Sequence, residues 1–224
     1  MAEWLQLHPL NPQKRFLDRI AKQLRDGAVI VYPTDSCYAL GCHLGDKAAA
    51  ERVRSIRRFD KHHLFTLVCR DLSDIGSYAR VDNSQFRLLK SMTPGPYTFV
   101  LKATHEAPRR LQHEKRKTIG LRIPEHTVVQ ALLTALGEPL LSCTLILPPG
   151  ELPVSDPEEF RAQLNKVVDI VVGSGNCGYE PTTVLDLTET EPRLIRKGKG
   201  EVSRFDDDSM SSSAEPNARP VSAG

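Results

Sequence analysis

Ala28-Val-Ile-Val-Tyr32-Pro33-Thr34-Asp35-Ser36-Cys37-Tyr38-Ala39-Leu40-Gly41 is the stretch on which the fold turns. Residues 28–32 are apolar at every position, the pattern of a strand covered on both faces. Pro33 ends the strand because it has no amide to donate. A turn rich in hydroxyls follows, and open α/β sheets place their ligand groups on loops at strand ends. Thr34, Ser36 and Tyr38 are therefore candidates for holding a small polar ligand. The competing reading is a capping turn in which Thr and Asp satisfy free backbone amides, and spacing alone favours it.

Working outward, Asn11 and Pro12 predict the start of a helix, as N-cap and first helical residue. Phe16, Ile20 and Leu24 recur every four residues, with Leu17 and Ala21 widening the stripe. Gly27 suits the left-handed position after its end. Further helices are predicted over 46–57, 84–90, 127–136 and 156–164. Strands are predicted over 64–69, 97–101, 118–123, 140–146, 167–172, 182–187 and 193–196. Several of these strands succeed one another with no helix between. The expected class is α/β: a twisted mixed sheet with packed helices, not a regular parallel fold. One domain is expected over 1–202, followed by a disordered acidic, Ser-rich tail over 203–224.

The chain has 224 residues, 40% hydrophobic and 26% charged, enough for a real core. No apolar run approaches the roughly 20 residues of a membrane helix. The N-terminus lacks a signal-peptide pattern. Five scattered cysteines have no zinc or redox spacing, so reduced thiols, no metal site and a cytoplasmic location are expected. Adjacent His62 and His63 point apart on any regular element, which argues against a metal pair.

The net charge of +2 is unevenly spread. Residues 51–63 carry +3, from Arg52, Arg54, Arg57, Arg58 and Lys61 against two acids. Residues 109–117 carry +4, from Arg109, Arg110, Lys115, Arg116 and Lys117 against Glu114. Clustered cations suit a phosphate-bearing partner. Arg57, Lys61, Arg109, Arg110, Lys115, Arg116 and Lys117 are candidates for a nucleic-acid backbone, double-stranded RNA or tRNA, with a solvated face as the alternative. Little aromatic interleaving argues against stacking on single strands. The phosphate loop, Gly-x-Gly-x-x-Gly, Gly-x-Ser-x-Gly and His-Glu-x-x-His are absent, so four common enzyme classes are not expected.

Six segments then occur in order: Tyr32-Pro-Thr-Asp-Ser-Cys-Tyr-Ala-Leu-Gly41, Pro94-Gly-Pro-Tyr-Thr98, Thr118-Ile-Gly-Leu-Arg-Ile-Pro-Glu-His126, Ser142-Cys-Thr144, Thr182-Thr-Val-Leu-Asp186 and Ile195-Arg-Lys-Gly198. Together they resemble the YrdC/YciO family, whose best-known members are threonylcarbamoyl-AMP synthases. Cys69-Arg-Asp-Leu and Lys115-Arg-Lys-Thr-Ile-Gly120 look closest to the YciO subgroup.

The resemblance implies a YrdC-like fold with a large basic concave surface. It implies binding of ATP or AMP, L-threonine and bicarbonate, with magnesium accompanying ATP. The implied product is threonylcarbamoyl-AMP, used in threonylcarbamoyladenosine modification of tRNA. Ser36 matches a threonine-contacting hydroxyl and Arg58 the arginine of a Lys-x-Arg phosphate motif. Thr118 and Arg122 match nucleotide and threonine-carboxylate contacts. Ser142 and Thr144 match Ser-x-Asn, Thr182 a serine before Thr-Val, and Arg196 an arginine before the last glycine. Ile56 replaces the motif lysine, Thr144 the asparagine, and His62 a downstream lysine or asparagine. No catalytic base is evident. These departures imply weakened or altered synthesis. The alternatives are hydrolysis of threonylcarbamoyl-AMP and non-catalytic RNA binding.

Overall fold

The computed structural model describes residues 1–60, 63–203 and 205. Its strands are β1 (Glu3–Gln6), β2 (Val29–Tyr32), β3 (Ala39–His43), β4 (Thr66–Val68), β5 (Tyr97–Lys102), β6 (Thr118–Arg122), β7 (Leu140–Thr144), β8 (Ile170–Gly173), β9 (Thr183–Asp186) and β10 (Arg193–Arg196). They form one sheet in the order β1-β8-β2-β3-β7-β4-β6-β5-β9-β10. Four pairings are parallel: β1 with β8, β2 with β8, β4 with β6, and β5 with β9. The others are antiparallel, so the sheet is mixed, as the succession of strands predicts. The helices are α1 (Lys14–Arg25), α2 (Lys47–Arg57), α3 (Leu72–Tyr78), α4 (Asn83–Met92), α5 (Thr127–Leu136) and α6 (Arg161–Val167).

β2 shows why the sheet is covered on both sides. Ile30 and Tyr32 point toward α1 and α5, among Ile20, Leu24, Leu132, Leu133 and Leu140. Val29 and Val31 point the other way, among Leu40, Cys42, Val53, Leu67 and Leu141. Each such buried aliphatic side chain contributes roughly 1.5–3 kcal/mol. Gly41 sits in β3 because a Cβ there would lie 2.7 Å from Leu140 and 2.8 Å from the Tyr32 ring. Gly27 and Gly137 take positive φ values of 92° and 78° after α1 and α5, as a left-handed helix end requires.

Local signals near the N-terminus mislead. The helix begins at Lys14, with Gln13 as N-cap, and not at Pro12. His8 explains the delay: its Nδ1 accepts from the amides of Leu10 at 3.2 Å and Asn11 at 3.1 Å, folding residues 8–11 into a separate turn. β1 and α3 escape prediction altogether. β1 is four residues long and exists through its parallel pairing with β8. α3 has seven residues, buries only Ile75, and is started by Asp71, whose carboxylate accepts from Ser73 and Asp74 amides. Residues 39–41, read as part of the turn segment, belong to strand β3. Phe205, placed by sequence in the tail, packs against the core; the rest of that tail, apart from Ser203, lies outside the described residues.

Asp186 closes β9 against the segment after it. Its carboxylate accepts from Thr188 Oγ1 at 2.6 Å and the Thr188 amide at 2.9 Å, and pairs with Arg116 at 2.5 Å. Burial pushes its pKa up, but the Thr188 and Arg116 hydrogen bonds outweigh burial and hold it down at about 2. The native carboxylate therefore stays ionised to lower pH than in the unfolded chain. Its stabilisation is complete above about pH 4 and is lost as pH falls through 2, on the order of 2 kcal/mol. Urea unfolding followed from pH 5 to 2 should show this acid loss, with a shallower slope in Asp186→Asn. Identical slopes would contradict the assignment.

Candidate functional site

The turn after β2, the facing strands β5, β6, β7 and β9, and the loops beyond them enclose a cavity of about 510 Å³. Ser36, Tyr38, Thr118, Arg122, Ser142, Thr144, Thr182 and Arg196 all line it. Residues up to 160 positions apart thus meet because β3, β7, β4, β6, β5 and β9 are successive neighbours in the sheet.

Three guanidiniums set the electrostatics. Arg122 is buried at the end of β6. Its Nη2 donates to Asp35 Oδ1, and to Ser36 Oγ at 3.1 Å, while its Nε is buried with no hydrogen-bond partner. Arg57 ends α2, donates Nη1 to the Ile146 carbonyl at 2.7 Å, and lies 4.6 Å over the Phe59 ring. Its Nε is also buried without a partner. Arg196 donates Nη2 to the Thr182 carbonyl at 2.9 Å. Burial lowers the pKa of both Arg57 and Arg196, and an arginine still stays charged at neutral pH. Against these three, Glu151 is the one carboxylate among the described lining residues. Buried N–H groups without partners cost free energy.

The hydroxyls are oriented too. Ser142 donates to the Leu40 carbonyl at 3.0 Å, so the buried Tyr32 phenol, 2.6 Å away, donates to Ser142. Burial raises the Tyr32 pKa, which keeps that phenol protonated. The Tyr38 phenol donates to the Gly175 carbonyl at 2.6 Å. Thr182 Oγ1 lies 2.8 Å from Thr98 Oγ1. Cys37 and Cys143 also face the cavity, but burial pushes both thiols up, Cys143 to about 12 despite the pull of Arg57. They are thiols at neutral pH and not nucleophiles. All five cysteines are free.

Two predicted ligand residues do not reach the cavity. Thr34 serves its own turn: its Oγ1 accepts from the Ser36 amide at 3.2 Å and the Cys37 amide at 3.3 Å and donates to the Cys37 carbonyl at 2.6 Å. The capping reading is the correct one there. Arg58 is exposed and is not part of the wall. It is the C-cap of α2, with a left-handed φ of 52°, and its neighbour Arg57 lines the cavity instead. His62 and Lys61 lie outside the described residues. Ile56, at the motif lysine position, packs against the core.

The basic segment 109–117 contributes none of its cations to this wall. Arg109, Arg110, Lys115, Arg116 and Lys117 are exposed. Arg110 donates to the Leu44 carbonyl and Arg116 pairs with Asp186, so two of the five serve the fold. Among the described residues no helix is long and apolar enough to cross a membrane.

Sequence reasoning overlooked several parts of the site. Phe59, His63 and Phe65 form an aromatic wall, with Phe59 and His63 stacked at 3.4 Å. Asp35 stands behind Arg122, and Lys199 donates from the last segment to the Asp35 carbonyl oxygen. Asp35 lies in the quoted turn between two candidate hydroxyls, and that position was its only signal.

Comparison with known proteins fits this geometry. A Sua5/YciO/YrdC family profile, described as "Telomere recombination", matches residues 22–198. YciO of Escherichia coli, an uncharacterised protein, is 53% identical over 205 residues, covering 92% of this chain and all of that one. Its crystal structure superposes with a TM-score of 0.87. A threonylcarbamoyl-AMP synthase of Chromobacterium violaceum is 33% identical over 180 residues, 80% of this chain and 92% of that one. Sua5 of P. abyssi, complexed with L-threonine, shares the fold with a TM-score of 0.79 at 21% identity, over 87% of this chain and 57% of that one. The ten-stranded mixed sheet, the ordered motifs and these matches together establish that the chain belongs to the Sua5/YciO/YrdC family.

Proposed function

We propose that this cavity binds L-threonine beside an adenine nucleotide and forms threonylcarbamoyl-AMP from L-threonine, bicarbonate and ATP. The observation that carries the reading is the Arg122 guanidinium set into the cavity wall beside Ser36, to which it donates at 3.1 Å. A guanidinium edge of this kind grips a carboxylate through charge-assisted hydrogen bonds. The 33% identical relative described as a threonylcarbamoyl-AMP synthase and the L-threonine complex of P. abyssi Sua5 support threonine as that carboxylate.

The chemistry balances without a protein nucleophile. The threonine amine takes up bicarbonate, losing water, to give a carbamate. A carbamate oxygen attacks the α-phosphorus, the bond to the β-phosphate bridging oxygen breaks, and pyrophosphate leaves. Arg57 and Arg196 would stabilise the charge on the phosphates, the main demand of such a transfer. Holding the reactants together supplies much of the rest. The wall does not suit a protein-held magnesium ion. Glu151 is its one described carboxylate, and no three His, Cys, Asp or Glu side chains converge among the described residues. Magnesium prefers phosphate and carboxylate oxygens and would arrive on the triphosphate of ATP, so no step here is assigned to it.

Ile56 supplies no second cation and Thr144 no amide donor. Each lost charge-assisted contact costs roughly 1.5–3 kcal/mol, or ten- to a hundred-fold in rate or affinity. Slow synthesis is therefore expected. Incubation with ATP, L-threonine and bicarbonate should release pyrophosphate and threonylcarbamoyl-AMP. Absence of both, with no binding of the adenylate, would contradict the proposal. Conversion of added threonylcarbamoyl-AMP to AMP, with no synthesis, would assign the cavity to hydrolysis instead.

A further inference from the structure

We infer that Asp35 is the positioning residue that selects the amino-acid substrate, acting through Arg122 without touching the ligand. The inference rests on the threonine reading of the cavity. The side chains of Arg122 and Asp35 are 9% and 10% exposed, so the pair is almost wholly removed from water. Asp35 does not line the cavity, whereas Arg122 and Ser36 on either side of it do. Its two carboxylate oxygens have separate tasks: Oδ1 accepts from Arg122 Nη2, and Oδ2 accepts from the Glu125 amide at 3.0 Å. Glu125 lies three residues beyond Arg122, so the carboxylate ties the loop leaving β6 to the turn leaving β2. The Asp35 backbone oxygen is in turn held by Lys199.

The consequence is directional. Asp35 engages one amino group of the guanidinium, and Ser36 Oγ shares it at 3.1 Å. The Nε–H remains without a partner. A guanidinium is a rigid planar fork, so fixing one amino group fixes where the other N–H bonds point. Asp35 thereby fixes the plane of the guanidinium at the cavity wall and offsets the charge of a cation buried before any ligand arrives. On the threonine reading the anion that meets this guanidinium is the amino acid's carboxylate, while the nucleotide phosphates meet Arg57 and Arg196, so the arrangement bears on amino-acid affinity and not on nucleotide affinity.

The test uses the full chain and separate calorimetric titrations with L-threonine and AMP. Asp35→Asn keeps the shape but removes the charge that holds Arg122. L-Threonine affinity should fall roughly 10–100-fold, the cost of misplacing a binding group by about 1 Å, with AMP affinity within about twofold of the parent. Asp35→Glu restores the charge but displaces Arg122 by a methylene, so it should show the same split while recovering thermal stability. If Asp35→Asn does not fold, Asp35→Glu decides by the same criterion. Equal losses for both ligands would mark Asp35 as merely structural and overturn the inference, as would unchanged threonine affinity. A parent protein that binds AMP but no threonine would overturn the threonine reading itself, and this inference with it.

Discussion

Arg122→Gln should abolish measurable threonine binding and destabilise the fold together. Loss of two charge-assisted hydrogen bonds, at no less than about 1.5 kcal/mol each, removes at least roughly 100-fold in affinity. The stability loss has a separate origin. Removing one partner of a buried pair leaves an uncompensated charge, here Asp35, at a cost of about 3–5 kcal/mol. In a domain of this size each kcal/mol shifts the melting temperature by roughly 2–4 °C, so a fall well above 5 °C is expected by calorimetry. Arg122→Lys separates the effects: an ammonium can still pair with Asp35 but cannot reproduce the planar fork. It should recover most of the melting temperature and little of the binding. Recovery of binding with Lys would show that charge alone, and not fork geometry, holds the ligand.

Gly198→Ala should damage the opposite wall by a purely steric route. A Cβ at residue 198 would lie 2.6 Å from the carbonyl carbon and oxygen of Thr182, and closer still to the Pro181 oxygen. All three are backbone atoms, so no side chain can rotate to make room. The Gly198 amide also donates to Thr183 Oγ1 at 3.0 Å, and the Lys199 amide to the Pro181 carbonyl at 2.9 Å. Separating the last segment from β9 breaks these bonds and takes Arg196 off the Thr182 carbonyl. Overpacking of this kind costs about 1–3 kcal/mol, and nucleotide affinity should fall at least tenfold with it. A variant with the parent melting temperature and the parent AMP affinity would contradict this packing.

Much of this structure is legible in the order of residues, and the failures have local causes. β2 is readable because its alternate side chains feed two different cores, which leaves a continuous apolar run. α5 is readable to its last residue because Leu136 is followed by a glycine free to turn left-handed. β1 cannot be read, since four residues become a strand only when β8 lies alongside. α3 is hidden by Gly76 and its serines, which lower helix propensity. At the site, strand-borne residues such as Arg122, Ser142 and Thr118 are legible only through the family resemblance, because their convergence depends on which strands become neighbours in the sheet. The cation at the end of α2 is different. Motif matching selects Arg58, but a helix end admits one residue of left-handed backbone, and Arg58 occupies it. Its neighbour Arg57 lines the cavity instead. Asp35 was overlooked because its role depends on Glu125, 90 positions later, which no local pattern contains.

The most direct test is calorimetric titration of threonylcarbamoyl-AMP into the full chain. Saturable binding of one molecule per chain, displaced by AMP and lost in Arg122→Gln, is the predicted result. An absence of binding, or binding that Arg122→Gln leaves intact, would contradict a cavity built to hold this adenylate by its carboxylate.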